Sequence, residues 1–508
     1  MTNSLWLDKQ PQPKFPKLQE NVTVDICVVG GGIVGITTAY LLKKAGLTVA
    51  LIDKGGCGQA ETGHTTAHLT YVTDERLSRL VSDFGRDHAQ AAWDAGQAAL
   101  LQIAENVHVA KIDCGFAWTP GYMHASWKHT DQDDRASLEE EARLALELGF
   151  AAEFVESVPF ADRPGIRFAN QARFHPQQYL AGLLATIPAA GSYVFQESEV
   201  TEITEEPLTV HVGEHKVTCG YVVVATHVPL MGKAGLVAAA FLQSKLSLYS
   251  TYAIAARVPK GEVPAALFWD TTDPYYYLRT EPHEDHDMVI FGGEDHKTGQ
   301  VTDTEDNFKR LEQLFHVIVP KGKVTHRWSG QVVETNDGLP FIGEIASRQF
   351  IATGFSGNGL TYGTLSGMMA LDWALGAASP WHELFSPGRT KLKGGTWDYL
   401  RENIDYPYYM LKDRLFGGHE AGAVESVDNG EGKVLMVDGE RLAVSRDDKG
   451  HVCAVSAICT HMGCVVHWNQ AEKSWDCPCH GSRFSADGSV MAGPAETPLA
   501  KHDIAAHA

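Results

Sequence analysis

Cysteine and histidine are concentrated near the C-terminal end of this chain in a pattern that suits metal binding. Five of the nine cysteines lie within the last 60 residues, and the other four are scattered. Two short segments, Cys459-Thr-His461 and Cys477-Pro-Cys479-His480, are separated by 15 residues. Thiolates and imidazoles bind zinc or iron–sulfur clusters. Zinc sites do not normally use a Cys-x-His spacing with intervening proline and glycine, so zinc is the less favoured of these two.

The two segments resemble the ligand loops of the Rieske [2Fe–2S] domain. The resemblance implies that Cys459 and Cys477 ligate one iron, and that His461 and His480 ligate the other. Imidazole ligands raise the reduction potential above that of an all-cysteine cluster. The resemblance also implies a loop-to-loop disulfide between two further cysteines, and these are Cys464 and Cys479.

Other positions of the same segment match the Rieske pattern. Ser482 matches a hydroxyl donor to a cluster sulfur, and Gly493-Pro494 matches the proline loop that covers the cluster. Phe484 stands where the highest-potential members carry a tyrosine, so we expect a potential below theirs. Cys453 lies outside the pattern and is expected to belong to the core.

A glycine-rich turn near the N-terminus has the spacing of a dinucleotide-binding loop. Gly30-x-Gly32-x-x-Gly35 follows the apolar run Val24–Val29 and precedes a helical pattern. The glycines permit a tight turn, a close approach of the backbone to a pyrophosphate, and packing of the helix on the strand. Asp53 ends the next apolar run, where an acid accepts hydrogen bonds from a ribose hydroxyl. A glycine-rich hairpin, the alternative, accounts for neither Asp53 nor the helical periodicity.

Val222-Val-Val-Ala-Thr226 resembles the second strand-end turn of two-domain flavoproteins. Two later segments resemble the D-amino-acid oxidase-like (glycine/sarcosine oxidase) flavoenzymes, and this resemblance spans roughly residues 24–380. The two segments are Arg327-Trp-Ser-Gly330 with the following Asn336-Asp-Gly-Leu-Pro340 and Ile342-Gly343, and Ala352-Thr-Gly354-Phe-Ser-Gly357-Asn-Gly359. The resemblance implies FAD as the cofactor. The sequence contains no second GxGxxG motif, so a separate NAD(P)H site is not expected and the electrons should come from an organic substrate.

The resemblance also indicates which residues contact FAD. It places a flavin-contacting loop at Gly63-His-Thr-Thr-Ala67, and it places a closing loop, whose N–H groups stabilise the reduced flavin, at 352–359. The residues expected to bind FAD are Gly30, Gly32, Gly35, Asp53, Lys54, Thr65, Thr66, Val200, Ala225, Gly330, Gly354, Gly357 and Gly359. A covalent flavin bond at His64 is left open by the sequence.

Substrate-contacting residues are expected in the middle segment, which forms the roof over the flavin in this family. The candidate catalytic residues are Tyr252, Tyr277, Arg279 and Arg327, and the stretch also contains Tyr275 and Tyr276. An arginine there would hold a substrate carboxylate through two hydrogen bonds. In the alternative, the tyrosines pack between sheet layers and the arginines pair with surface acids.

A mononuclear iron site is a further alternative for the N-terminal part. Glu61, His64 and His68 offer the two histidines and one carboxylate that Rieske-fed oxygenases use. Those oxygenases place the catalytic domain after the Rieske domain, whereas here the flavoprotein pattern precedes it. The three residues also fall in the expected flavin loop, so we do not expect an iron site there.

The elements that must position these sites divide the chain into two unlike parts. A strand, the glycine turn, a helix and a second strand at 49–53 form the opening unit of a parallel, doubly wound sheet. Residues from about 75 to 150 read as largely helical, and strand-like runs recur at Tyr221–Ala225 and Met288–Phe291. Beyond Gly417, short strands alternate with Asp, Gly and Asn turns, which indicates a small all-β domain.

We therefore predict an α/β FAD-binding fold followed by an all-β Rieske domain. The first part is expected to be Rossmann-type and two-layered, with an antiparallel substrate-domain sheet. Residues 1–385 are expected to form the FAD-dependent oxidoreductase with interleaved FAD-binding and substrate subdomains, 386–418 a linker, and 419–508 the Rieske [2Fe–2S] domain.

Composition excludes several classes of protein. Lys and Arg number 42 against 63 Asp and Glu, a net charge of −21, which argues against nucleic acid or anionic lipid as a partner. The 508 residues suffice for two to four domains and are 44% hydrophobic, as in an ordinary globular protein. There is no apolar run of membrane-spanning length and no secretory signal pattern, so we expect a cytoplasmic protein.

These expectations combine into one function with two alternatives. FAD accepts two electrons as hydride from an amine or amino-acid-type substrate with a CH–NH or CH–NH2 group, and the cluster passes single electrons to a soluble acceptor. The first alternative is an oxidase that uses O2 and in which the Rieske domain is regulatory or structural. The second is a non-catalytic redox sensor or electron-transfer module.

Overall fold

A computed structural model describes residues 3–8, 13–129, 134–228, 245–301, 303–389, 424–437 and 439–502. The strands in these residues are β1 Val22–Val29, β2 Val49–Ile52, β3 His68–Leu69, β4 Ala117–His124, β5 Ala152–Val155, β6 Gly165–Arg173, β7 Tyr193–Phe195, β8 Glu202–Glu205, β9 Leu208–Val212, β10 His215–Val224, β11 Leu246–Val258, β12 Leu267–Asp270, β13 Tyr277–Pro282, β14 Asp287–Lys297, β15 Lys323–Thr335, β16 Phe341–Ala346, β17 Gln349–Thr353, β18 Gly432–Val437, β19 Glu440–Arg446, β20 Val452–Ser456, β21 His467–Asn469, β22 Ser474–Asp476, β23 Arg483–Ser485, β24 Val490–Ala492 and β25 Lys501–His502.

The helices of the described residues belong to the N-terminal three quarters of the chain. They are α1 Ile33–Lys44, α2 Leu77–Phe84, α3 Arg86–Val109, α4 Arg135–Glu147, α5 Pro176–Leu184, α6 Thr304–Ile318, α7 Gly359–Ala374 and α8 His382–Phe385. None of them has both the length and the apolar character needed to cross a bilayer.

The first sheet is parallel around the predicted dinucleotide unit. Its order is β16-β17-β10-β1-β2-β7, and β17, β10, β1, β2 and β7 run parallel. Every residue of β2 is buried, as expected for a strand covered on both faces. The predicted strand–turn–helix–strand unit is therefore confirmed, and α1 packs against α7.

The second sheet forms the other layer of the flavoprotein part. Its order is β15-β11-β14-β13-β12-β4-β6-β3, with β5 paired to β6. Its pairs are antiparallel except for β12 with β4, which run parallel. The predicted antiparallel substrate-domain sheet is thus correct apart from this one pair.

The region from about residue 75 to 150, which the sequence predicts to be largely helical, contains one strand. Helices α2, α3 and α4 fill most of the region, but β4 interrupts it in the centre of the second sheet, between β6 and β12. These two neighbours lie about 50 and 145 residues further along the chain. Pro120 and Gly121 disfavour a helix in this stretch, and Trp118, Thr119 and Tyr122 favour a strand. The helical reading of the wider region therefore missed a local signal here.

The C-terminal part contains two four-stranded antiparallel sheets, β18-β19-β20-β25 and β21-β22-β23-β24. Trp475, Phe484 and Val466 are fully buried between them, as is expected of a small all-β core. Most of the predicted 386–418 linker lies outside the described residues. The boundaries proposed for the domains therefore remain predictions.

The two parts are packed against each other. Ala471 belongs to the same apolar cluster as Phe308 of α6. The Thr304 hydroxyl donates to Asn469 Oδ1 at 2.8 Å, where α6 begins. His467 Nδ1 lies 2.9 Å from the carbonyl oxygen of Gly299. The β21–β22 hairpin is thereby held on the flavoprotein part.

Candidate functional site

A cavity of about 1150 Å³ lies between the two sheets of the flavoprotein part and extends to the Rieske segment 489–498. Most of the residues expected to bind FAD line this cavity: Gly30, Gly32, Asp53, Lys54, Thr65, Thr66, Val200, Ala225, Gly330, Gly357 and Gly359. Its volume exceeds the range typical of small-molecule pockets, so a cofactor and a substrate have room together.

Gly35 and Gly354 belong to the expected set but do not line the cavity. A Cβ atom at Gly35 would lie 1.8 Å from the carbonyl oxygen of Gly30, so this glycine lets α1 approach the turn. At Gly354, φ is +76° and a Cβ atom would lie 2.4 Å from Thr335 Cγ2. Both glycines act on backbone packing beside the cavity rather than in its wall.

The N-terminus of α1 suits an anionic group. Gly30 has φ of +108°, and a Cβ atom there would lie 2.4 Å from the carbonyl oxygen of Ala225, so the tight turn requires glycine. The first turn of α1 contains no acidic residue that would compete for its positive end. This cradle fits the pyrophosphate of a dinucleotide.

Asp53 organises the backbone around this turn. Its Oδ2 accepts a hydrogen bond from the N–H of Gly31 at 2.7 Å, and its Oδ1 accepts one from the N–H of Gly55 at 2.8 Å. Each carboxylate oxygen retains a further lone pair, so these two bonds are compatible with the expected acceptance from a ribose hydroxyl.

The expected flavin-contacting loop is fixed on strand β15. The Trp328 indole donates to the carbonyl oxygen of His64 at 2.7 Å, and the N–H of Gln331 donates to Glu61 Oε2 at 2.6 Å. The Trp6 indole donates to the carbonyl oxygen of Thr65 at 2.6 Å. The loop is therefore held from both sides along the cavity wall.

The same contacts bear on the mononuclear iron alternative. Glu61 is engaged by the backbone of Gln331, His64 Nδ1 lies 3.0 Å from the carbonyl oxygen of Ala60, and His68 Nε2 lies 3.3 Å from that of Leu278. Within the described ranges, the ligand atoms of Glu61, His64 and His68 do not gather into a metal-binding group.

The four candidate catalytic residues are placed differently. Tyr277 lines the cavity, and its hydroxyl lies 2.9 Å from Thr251 Oγ1. Tyr252 is buried, its hydroxyl lies 2.9 Å from His296 Nε2, and its ring packs edge-on against Phe308. The structure therefore brings one of the two tyrosines to the cavity.

Neither candidate arginine lines the cavity. Arg279 is fully buried, donates to the carbonyl oxygen of Ala67 at 2.6 Å and pairs with Glu281. Arg327 binds Glu305 through two hydrogen bonds of 2.9 and 3.0 Å. Both guanidinium groups pair with acids of the protein, so the expected carboxylate clamp is not formed by these arginines.

Asp74 and Asp295 are two of several cavity-lining acids that were not anticipated from the sequence. Asp74 accepts a hydrogen bond from the Tyr275 hydroxyl at 2.9 Å and another from the N–H of Gly357. Asp295 lies near the end of β14, and burial together with the charge of Asp74 raises its pKa to about 7. Neither acid belongs to a recognisable motif, and only the pairing of distant strands and loops brings them to one wall.

The two ligand loops of the C-terminal part lie side by side. A disulfide joins Cys464 to Cys479, as expected, and so ties one loop to the other. The rings of His461 and His480 are 4.8 Å apart and perpendicular. Cys477 lies near Cys464 and Cys479, but their disulfide sulfurs are not free thiolates. This leaves Cys459 and Cys477 as the available thiolate donors in the two loops.

The donor atoms have the chemistry that a Rieske cluster requires. Cys459 and Cys477 share a hydrogen bond that lowers the pKa of Cys459 and raises that of Cys477, and the Ser482 hydroxyl also lowers the pKa of Cys459. Burial lowers the pKa of His461 and, together with His461, lowers the pKa of His480 to about 4, which keeps both rings neutral as metal ligands must be. His461 Nδ1 is buried and has no hydrogen-bond partner among the described residues, as fits a ligand atom.

The surrounding residues enclose these loops. Ser482 is fully buried, and its Oγ accepts from the N–H of Ala495 at 3.0 Å, which ties the ligand loop to the Pro494 segment. Phe484 is fully buried in the same core and provides no hydroxyl there. Cys453 is half-buried and packs against this core.

Comparison with known proteins agrees with both sites. The family model described as FAD dependent oxidoreductase (DAO) matches residues 25–373, and that of the Rieske [2Fe-2S] domain matches residues 419–503. The chain therefore belongs to the DAO family of FAD-dependent oxidoreductases and carries a C-terminal Rieske domain. Its cofactors are FAD and a [2Fe–2S] cluster.

Three relatives illustrate the relationship. The Rieske 2Fe-2S iron-sulfur protein YhfW of Bacillus subtilis (strain 168) is 31% identical over 506 residues, 98% of this chain and 97% of its own. Gamma-glutamylputrescine oxidoreductase of Escherichia coli (strain K12) is 24% identical over 79% of this chain and 95% of its own. The structure of glycine oxidase from Geobacillus kaustophilus shares the fold, with a TM-score of 0.60 and 19% identity over 73% of this chain and all of that chain.

Proposed function

We propose that this protein oxidises an amine or amino-acid-type substrate with its FAD and delivers the electrons singly, through the Rieske cluster, to an external acceptor. When bound, FAD supplies two-electron hydride chemistry and the cluster supplies one-electron chemistry. The chain's own residues hold both groups, enclose the substrate and connect the two sites.

The proposal is carried by one contact between the two parts. Gln331 lines the cavity next to Gly330, and its side-chain amide donates to the carbonyl oxygen of Gly481 at 2.8 Å. Gly481 follows His480, an expected iron ligand. The backbone N–H of Gln331 also donates to Glu61 of the expected flavin loop. A single residue thus joins the flavin side of the cavity to a ligand loop.

A second contact supports the proposal by packing an earlier part of the same ligand loop against the flavoprotein part. A Cβ atom at Gly299 would lie 2.7 Å from the backbone carbon of Cys477. Glycine is therefore needed for this close approach, which continues with a hydrogen bond of 3.2 Å from the Gln300 amide to the carbonyl oxygen of Pro478. This packing supports electron transfer between the two sites of one molecule better than attachment of the Rieske part by a linker alone would.

In this proposal each expected residue has a role. Cys459 and Cys477 hold one iron, and His461 and His480 hold the other. The Gly30–Gly35 turn holds the FAD pyrophosphate, and the loops around Thr65 and Gly357 contact the flavin. The substrate class is supported by the DAO family and by the names of relatives that act on gamma-glutamylputrescine and glycine.

The test is turnover with a panel of amines and amino acids, with cytochrome c as a one-electron acceptor, in air and under anaerobic conditions. We expect cytochrome c reduction without O2, and its loss in Cys459→Ser even though anaerobic substrate still bleaches the flavin. The FAD content of Cys459→Ser is the control for folding. Stoichiometric H2O2 formation with no acceptor reduction would instead identify an oxidase, and flavin that no substrate reduces would favour a redox sensor.

A further inference from the structure

One wall of the cavity is a connected set of polar side chains, which we call the acidic wall. Its members are Asp74, Thr251, Tyr275, Tyr277 and Asp295, and all five line the cavity. Tyr275 donates to Asp74 at 2.9 Å, the Tyr277 hydroxyl lies 2.9 Å from Thr251 Oγ1, and Thr251 interacts with Asp295. The Tyr275 and Tyr277 rings are 5.6 Å apart, which makes the wall continuous.

Asp295 is incompletely satisfied in this wall. Its Oδ1 is enclosed by protein and accepts no hydrogen bond from any described residue. The charged neighbours with the strongest influence on its carboxyl group are Asp74, Glu294 and Asp273, and all three are acidic. A half-buried carboxylate among acids is costly, and a cation in the cavity beside this carboxyl group would offset that cost.

The cationic side chains of the cavity are engaged elsewhere. Lys54 follows Asp53 at the dinucleotide turn and donates to the carbonyl oxygen of Met491 at 3.2 Å. Arg76 donates to Ser137 at 3.4 Å. Arg279 and Arg327, which were expected to clamp a carboxylate, bind Glu281 and Glu305 outside the cavity. The acidic wall therefore has no arginine clamp from these residues.

We propose that the acidic wall binds the ammonium group of a cationic amine substrate, so that this enzyme prefers amines bearing an additional positive charge over zwitterionic amino acids. A bound ammonium group favours the ionised form of both carboxyl groups, so Asp295 and Asp74 then supply the negative charge, and the faces of Tyr275 and Tyr277 can add cation–π attraction. This inference rests on the proposed function and narrows its substrate class.

The first experiment measures flavin bleaching under anaerobic conditions with two sets of substrates. Putrescine and spermidine represent cationic amines, and glycine, sarcosine and proline represent zwitterions. We expect half-saturation by the amines at concentrations at least tenfold lower. Asp295→Asn should raise that concentration at least tenfold for the amines, and much less for any zwitterion that reacts. Asp295→Glu, which keeps the charge, should restore the preference in part.

The second experiment needs no turnover. Tetramethylammonium, a cation without an N–H group, is titrated against the oxidised holoenzyme while the flavin absorbance reports its binding. Wild type should bind it at least tenfold more tightly than Asp295→Asn, whereas Asp94→Asn, a change at an exposed acid of α3 outside the cavity, should not differ from wild type. Unchanged FAD and iron contents establish that the variants are folded.

The outcomes separate this inference from the proposed function. If zwitterions reduce the flavin and cationic amines do not, the proposed function stands and the acidic wall is not an ammonium site. If no amine or amino acid reduces the flavin, the proposed function fails, and tetramethylammonium titration still decides the role of the wall. Equal binding of tetramethylammonium by wild type and Asp295→Asn overturns the inference.

Discussion

Ser482 acts on the cluster site through a single hydroxyl group. It is fully buried, hydrogen-bonds to Cys459 and accepts from the N–H of Ala495. Hydrogen bonds to cluster sulfurs stabilise the reduced, more negative state and so raise the reduction potential. The sequence pattern alone identified this residue, because the ligand loop that carries it is short and local.

We therefore predict that Ser482→Ala lowers the reduction potential of the cluster. Loss of about 1 kcal/mol of differential stabilisation corresponds to roughly 40 mV for a one-electron couple. A redox titration followed by electron paramagnetic resonance measures the change. Ser485→Ala is the matched control, since Ser485 bonds to Asp487 in the same domain and not to a ligand loop. Equal potentials for Ser482→Ala and wild type would contradict the assigned contact.

In the dinucleotide site, Asp53 is the single side chain on which the geometry of the turn depends, as Ser482 is in the cluster site. We expect Asp53→Asn to weaken FAD binding, because an amide cannot accept from both Gly31 and Gly55 as the carboxylate does. A lost acceptor of this kind costs roughly 1–3 kcal/mol, or about tenfold to a hundredfold in the dissociation constant. Fluorescence of FAD released on dilution gives that constant.

The control for Asp53 is an acid with a similar local role. Asp25 accepts from the N–H of Thr48 at 2.8 Å in the same sheet, at an exposed position away from the cavity. Asp25→Asn should therefore retain FAD as wild type does. Loss of FAD to the same extent in both variants would mean that sheet stability, and not the turn, governs binding.

At the scale of elements, β15 is the strand that connects the two sites. It carries Trp328, Gly330 and Gln331, which reach the flavin loop, the cavity and a cluster loop, respectively. Because side chains alternate along a strand, neighbouring residues can serve opposite sides of the sheet. The strand thus brings the two ends of the proposed electron path together through successive residues.

We predict that Gln331→Leu slows reduction of the cluster by reduced flavin while leaving flavin reduction by substrate unchanged. The leucine cannot donate to the carbonyl oxygen of Gly481, so the direct link to the ligand loop is lost. Gln300→Leu is the control, since Gln300 donates to Pro478 of the same loop from outside the cavity. Stopped-flow absorbance resolves the two steps, and equal slowing by both variants would indicate a general effect of the interface.

The elements that the sequence predicted best are those whose signals are local. The β1–α1–β2 unit and both ligand loops follow from spacing within a few tens of residues. β4 was missed although it contains Pro120 and Gly121, because the segments around it are rich in Ala, Leu and Glu. Tyr277 and Arg279 lie on one face of β13, but only Tyr277 lines the cavity. Arg279 bonds to the carbonyl oxygen of Ala67 and pairs with Glu281 instead. No local sequence pattern indicates the contact with Ala67, which lies far away in the chain.

At the scale of the whole molecule, the Rieske part completes the cavity as well as carrying the ligand loops. Residues 489–498 line one side of the cavity, and Lys54 of the dinucleotide turn bonds to Met491. Arg483 pairs with Asp476 at 3.1 Å, and Asp476 accepts from Asn469, which bonds to Thr304 of α6. The two parts are therefore joined both at the cavity and at the β21–β22 hairpin.

The central claim is that electrons from an organic substrate reach the cluster inside one molecule. The most direct measurement mixes substrate anaerobically with the oxidised holoenzyme, freezes samples at successive times, and records flavin absorbance beside the electron paramagnetic resonance signal of the reduced cluster. We predict that the flavin bleaches first and that the cluster signal then grows at a rate independent of protein concentration. A cluster that stays oxidised after the flavin is reduced would contradict the claim.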